Sequence, residues 1–102
     1  MMPGPGAEEP VRITCWVRGH VQGVGFRWWV RSRALELRLV GSARNCPDGR
    51  VEVVAEGSRG ACELLLDLLE EDVSTADRPG WVRGVVHRWS PARGTCTGFA
   101  ER

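Results

Sequence analysis

The chain of 102 residues has no apolar run that approaches the roughly 20 residues a membrane-spanning helix needs. Its opening residues, Met-Met-Pro-Gly-Pro-Gly-Ala-Glu-Glu-Pro, also lack the apolar core of a secretory signal. Residues 1–10 therefore read as a flexible leader to one domain at 11–102, and the expected location is the cytoplasm, with no membrane partner. A surplus of one charge sign is missing too. A formal net charge of +1 gives no support to a strongly basic nucleic-acid binder. The four cysteines, Cys15, Cys46, Cys62 and Cys96, form no C-x-x-C pair, and no histidine stands at metal-ligand spacing, so no metal site is expected. In a reducing compartment the same thiols should be mostly buried as small hydrophobes. Internal repeats and low-complexity tracts are absent. What remains is an ordinary globular composition, 42% hydrophobic and 26% charged, in a chain long enough to bury one core without staples.

Periodicity divides that chain into alternating elements. Val11, Ile13, Cys15 and Val17 alternate with Arg12, Thr14, Trp16 and Arg18, a half-buried strand whose Trp16 points away from the core face. Phe26, Trp29, Val30, Ala34 and Leu37 recur at helical spacing. Residues 40–46 predict a second strand, weakened by Gly41, Ser42 and Ala43, and Pro47-Asp48-Gly49 predicts a turn into a third strand at 50–56. Ser58 is placed to cap a second helix that runs to about Glu71, with Ala61, Leu65, Leu68 and Leu69 on its buried face. A fourth strand follows at 81–89, where His87 shares parity with Val85 and Trp89 and should be partly buried. Gly98-Phe99 predicts a short edge strand. The order β-α-β-β-α-β implies an α+β, ferredoxin-like sandwich: a four-stranded antiparallel sheet with two helices on one face.

The nine residues Gly19-His20-Val21-Gln22-Gly23-Val24-Gly25-Phe26-Arg27 lie between the first strand and the first helix. Glycine-spaced backbone at that junction leaves N–H groups unpaired at a helix N-terminus, which is an anion cradle. Arg27 follows at the start of the helix, where its planar fork can clamp the same anion. This is neither the Walker A pattern, which ends in Gly-Lys-Ser/Thr, nor the dinucleotide fingerprint, which needs glycine where Trp28 stands. The expected topology makes the first two strands parallel, with the third between them, so Arg27 and Asn45 should lie across a gap of roughly 10 Å at one sheet end.

Gly-x-Val-Gln-Gly-Val-x-Phe-Arg resembles the signature of the acylphosphatases. A second block, residues 41–57, resembles that family's G-x-x-x-N-x-x-D-G-x-V-E-x-x-x-x-G, with Asn45, Asp48 and Gly49 at the matching positions. The resemblance extends from about Val11 to Phe99. It implies a small enzyme that hydrolyses carboxyl-phosphate anhydrides without metal or cofactor and acts on a small-molecule acyl phosphate, and a monomer is the default expectation. It further implies that backbone N–H groups of His20, Val21, Gln22, Gly23, Val24 and Gly25 hold the substrate phosphate together with Arg27. Asn45 would aim the attacking water, and the substrate phosphate would accept the proton. Asp48 and Gly49 belong to the turn, and His20 is expected as a surface residue of the loop.

Several positions depart from the family pattern. Arg38 stands where a helix-ending glycine is usual, at a cost of about 1 kcal/mol if the backbone turns left-handed there. Ser42 and Ala43 replace bulkier residues of the second strand. Cys46, beside Asn45, is a candidate for thiol sensitivity. Two other readings compete with this one. An RNA-recognition sheet would carry aromatics on its third strand, and residues 50–56 have none. The acylphosphatase-like segment of a large hydrogenase maturation protein would continue into a cysteine-rich extension, and the sequence closes at Arg102 without one, so a free-standing enzyme is expected.

Overall fold

The computed structural model describes residues 9–102, so most of the expected leader at 1–10 lies outside the described residues. The elements are β1 (Val11–His20), α1 (Phe26–Glu36), β2 (Val40–Asn45), β3 (Val51–Gly57), α2 (Arg59–Glu70), β4 (Trp81–Pro91) and β5 (Phe99–Glu101). They form one sheet in the order β4-β1-β3-β2-β5. Alternation decides which face is covered. Ile13, Cys15 and Val17 of β1 and Val51, Val53 and Ala55 of β3 are fully buried against Phe26, Trp29, Val30 and Ala34 of α1 and Cys62, Leu65 and Leu69 of α2. The α+β sandwich with both helices on one face is therefore as the periodicity implies.

The sheet has five strands rather than four, and β5 runs parallel to β2, pairing Gly41 with Phe99 and Ala43 with Glu101. Glu56 explains how the chain reaches that far edge. It lies on the open face beside Arg12, its cross-strand partner, yet is only 3% exposed. Its carboxylate accepts from Arg12 Nε at 2.6 Å, from the Arg93 N–H at 3.0 Å and from the Gly94 N–H at 3.2 Å. Burial alone would push the Glu56 carboxyl up, but these donors outweigh it and hold it below the ordinary carboxylate range. The segment after β4 is thereby pinned across the sheet, and Phe99 enters the core at the opposite edge.

Local chemistry accounts for the helix ends. The Ser58 hydroxyl accepts from the Ala61 N–H and caps α2. At the other end of α2, the Arg78 guanidinium donates to the carbonyls of Leu68, Leu69 and Glu71, a cap supplied from a loop. α1 ends with Arg38 at φ 59° while the Leu39 N–H bonds the Ala34 carbonyl, so the left-handed terminus forms with arginine in glycine's usual place.

Two expectations need correction. α2 buries Cys62 and Leu66 more fully than Ala61 and Leu68, because its apolar stripe is wider than the spacing suggested. His87 is exposed: β4 is an edge strand, and α2 covers its inner neighbour Cys15 instead. Trp16 does lie on the open face, but it is half-buried and donates to Glu52 at 3.1 Å. Cys15, Cys46 and Cys62 are buried and Cys96 is partly exposed, all as free thiols. Burial raises the Cys15 thiol to about 12 and Cys62 to about 11, so neither is a nucleophile near neutral pH.

Candidate active site

The end of the sheet where β1 and β2 finish gathers the residues singled out above. β1 runs further than its alternation indicates. His20 is not in the loop: it is the last residue of the strand, exposed and paired with Trp81. The ladder reaches it through an irregularity, since Arg18 pairs with Gly84 but Gly19 with Val82, leaving Arg83 as the extra residue of β4. Gly19 makes that step possible, because a Cβ there would fall on the carbonyl of Trp81.

The loop itself is residues 21–25. Val21 is only 1% exposed and Val24 packs against the core, so two apolar anchors fix its path. Gly23 and Gly25 have φ of 74° and 84°, a conformation that L side chains rarely adopt. Gly25 is the N-cap of α1 and offers no side-chain cap, and the first turn of the helix carries no acid. The positive end of the helix dipole thus has no local counter-charge. Among the described residues, the backbone N–H groups of 21–25 donate to no protein acceptor. Gln22 gives the loop its external brace: its side-chain amide donates to the carbonyls of Cys46 and Arg50, both at 2.9 Å. These carbonyls also belong to the β2–β3 turn, in which the Cys46 N–H bonds Arg50 at 2.8 Å and the Gly49 N–H bonds Cys46 at 3.1 Å.

Arg27 lies in the first turn of α1, half-buried, and donates from Nη1 to the Arg102 carbonyl at 2.8 Å. The Arg102 N–H in turn donates to Ala43 at 2.7 Å, and Arg31 Nε donates to Phe99 at 2.9 Å. β5 and the residue after it therefore connect the arginines of α1 to β2. Asn45, two residues beyond Ala43, closes β2. It shares the helix-side parity of Gly41 and Ala43, which are buried, but it sits at the strand end and is exposed. Val51 pairs with both Val17 and Asn45, which places those two residues level with one another, two strand spacings or roughly 10 Å apart.

The neighbours of Asn45 are engaged, while its own amide has no hydrogen-bond partner among the described residues. Arg44 pairs with Glu52 at 2.9 Å, and Arg50 donates to Asp48 from both its backbone and its side chain. The backbone N–H of Arg50, followed by its guanidinium, holds the Asp48 carboxyl below its ordinary range. Asp48 is thus committed to the turn, as its place in Pro-Asp-Gly implies. Cys46 is buried beneath the turn, which shields its thiol.

Of the expected site residues, Val21 to Gly25, Arg27 and Asn45 converge on one corner, and His20 borders it through the strand. Sequence reasoning missed two contributors. The Gln22 side chain acts as a brace in addition to its backbone, a role hidden within the motif. Arg102 meets Arg27 through a contact 75 residues apart, for which no local pattern gives a signal.

A strand-loop-helix junction whose N–H groups are unpaired among the described residues, an uncapped helix and an arginine together make an arrangement suited to an anion on an α+β domain. Comparison with known proteins makes the class specific. The acylphosphatase family model matches residues 13–100. Relatives named acylphosphatase include that of Thermobifida fusca, 64% identical over 94 residues and covering 92% of this chain and 99% of its own. That of Nocardia farcinica is 60% identical over 100 residues, covering 98% of this chain and 96% of its own. Among solved structures, an acylphosphatase from Coxiella burnetii superposes with a TM-score of 0.79 at 33% identity, covering 92% of this chain and 94% of that one. The chain belongs to the acylphosphatase family. Its activity is the hydrolysis of acyl phosphates, and it is a hydrolase acting on an acid anhydride.

Proposed function

We propose that the corner framed by residues 21–25, Arg27 and Asn45 carries out this hydrolysis. The N–H groups of the loop and the N-terminus of α1 hold the phosphoryl oxygens, with Arg27 closing over them. Nη1 of Arg27 is occupied by Arg102, which orients the guanidinium and leaves its remaining donors for the phosphate. The Asn45 amide accepts from a water with its oxygen and donates to a phosphoryl oxygen with its NH₂. The water oxygen forms the new bond to phosphorus, the bond from phosphorus to the carboxyl oxygen breaks, and carboxylate leaves with the electron pair. A phosphoryl oxygen takes the proton, so the products are carboxylate and inorganic phosphate.

Because phosphoryl transfer passes through a loose transition state, positioning and charge stabilisation supply most of what is needed. A carboxylate leaves readily, so a general acid contributes little. Neither histidine has a role in this scheme, and it requires no metal. The observation that carries the reading is the coincidence of donors: N–H groups at an acid-free helix N-terminus and an Asn45 amide at the end of β2 that have no hydrogen-bond partner among the described residues, with Arg27 in the first turn of the same helix.

The substrates taken at this corner are small acyl phosphates. The buried free thiols suit a reducing compartment, and we take the enzyme to be a cytoplasmic monomer, testable by fractionation and sedimentation. The test of the site is benzoyl phosphate hydrolysis in EDTA with inorganic phosphate added as a competitor. Full activity in EDTA and competitive inhibition by phosphate are expected. Loss of activity in EDTA that returns with a divalent cation would overturn the scheme.

A further inference from the structure

An open cleft of about 320 Å³ lies on the β1/β4 side of the catalytic corner, lined by Arg18, His20, Asp48, Trp81 and Arg83 among others. It adjoins the loop through its lining residues' neighbours: His20 directly precedes Val21, and Gly80, just before Trp81, lies so close to the loop that an added Cβ would meet the His20 carbonyl and the Val24 side chain. Its charge is unbalanced. Among the described residues, the ion pairs of this protein use Arg12, Arg33, Arg44, Arg50 and Arg59, and neither Arg18 nor Arg83. Asp48 is engaged by Arg50, so it does not neutralise them. The ladder irregularity in β4 falls at Arg83, whose guanidinium stands 5.3 Å from the centroid of the Trp81 ring. Such irregularities re-aim a side chain away from the regular pleat.

Reaction geometry says what this cleft faces. In an in-line displacement the attacking and leaving oxygens occupy opposite sides of the phosphorus. Asn45 holds the water on the β2 side, so the acyl group must leave toward β1 and β4. We propose that this cleft receives the acyl part of the substrate, and that Arg18 and Arg83 select acyl phosphates whose acyl group carries a second anion. The flat face of Trp81 suits the carbon skeleton between the two charges. Arg18 lies three residues before the loop, roughly 10 Å along the strand, and its long side chain brings the cation within reach of an anion a few carbons beyond the carboxyl. This inference rests on the catalytic reading above.

The test compares 4-carboxybenzoyl phosphate with 4-carbamoylbenzoyl phosphate, which have the same shape and differ in the remote charge. For the wild-type enzyme kcat/KM should favour the carboxylate about tenfold at low ionic strength, as charge-assisted contacts in a half-open cleft allow. The preference should shrink as salt is added. In the double variant Arg18→Gln with Arg83→Gln the ratio should fall to about one. Both positions are exposed, and circular dichroism verifies that the variant folds. A wild-type ratio near one, or a ratio that the double variant leaves unchanged, would overturn the proposal. Failure of the underlying reading shows differently: an Asn45→Ala enzyme would then hydrolyse both compounds at the wild-type rate.

Discussion

Replacing Gln22 by alanine should loosen the active site without touching a reacting atom. The side-chain amide of Gln22 makes two hydrogen bonds of 2.9 Å, to the carbonyls of Cys46 and Arg50, and these join the loop to the β2–β3 turn. At about 1 kcal/mol each in a partly buried setting, the loss amounts to roughly 2 kcal/mol. For a domain of this size that corresponds to a fall in Tm of roughly 10 °C. The kinetic effect follows from geometry: a shift of about 1 Å between the loop and the Asn45 corner can cost about 100-fold in rate. Gln22→Glu should be worse than alanine near neutral pH, since it sets a carboxylate against the two carbonyl oxygens that the amide now donates to. Those neighbours raise the carboxyl pKa of the variant. Its stability relative to Gln22→Ala should therefore improve as pH falls and the protonated acid regains one donor. Thermal unfolding at two pH values and benzoyl phosphate kinetics on the same preparations measure both effects. An unchanged Tm in Gln22→Ala would show that the brace does not form. A lower Tm with unchanged kcat would show that it does not position the loop.

Arg27→Gln should lower kcat by roughly 1,000-fold or more and weaken inhibition by phosphate, since it removes a charge-assisted donor from the site; steady-state kinetics with circular dichroism as the folding control checks this. His20→Asn combined with His87→Asn should stay within about tenfold of wild type across pH 5–8, and a loss beyond about 100-fold would identify a histidine base. Glu56→Gln should lower stability by roughly 2 kcal/mol at pH 7 by weakening the pin between β3 and the segment leading to β5. Because the native carboxyl sits below its ordinary value of 4.5, its contribution is complete above that pH and is lost as pH falls through the folded value. The urea-midpoint gap between wild type and Glu56→Gln should therefore close in acid.

Where one face of an element is buried, its period was enough to place it. β1 shows this along Ile13, Cys15 and Val17, and α1 along Phe26, Trp29, Val30 and Ala34. The two motifs likewise indicated the corner, because loop glycines and a strand-ending asparagine report backbone constraints that are local. What stayed hidden depends on contacts distant in sequence. The parallel pairing of β5 follows from Glu56 catching Arg93 and Gly94, and nothing in Gly98-Phe99 encodes direction. The cap on α2 comes from Arg78 in a loop. His87 has the parity of a buried residue, but parity specifies a face and not whether a helix reaches it. Arg102 meets Arg27 only because β5 exists.

In the proposed mechanism Asn45 acts on the transition state while the loop and Arg27 hold the phosphate. Measuring kcat and the affinity for inorganic phosphate on one preparation of Asn45→Ala tests it most directly, with circular dichroism to verify that β2 remains folded. The kcat should collapse while phosphate binds with nearly unchanged affinity, the pattern of an interaction made chiefly in the transition state. Survival of kcat with a loss of phosphate affinity would contradict it and make Asn45 a binding residue.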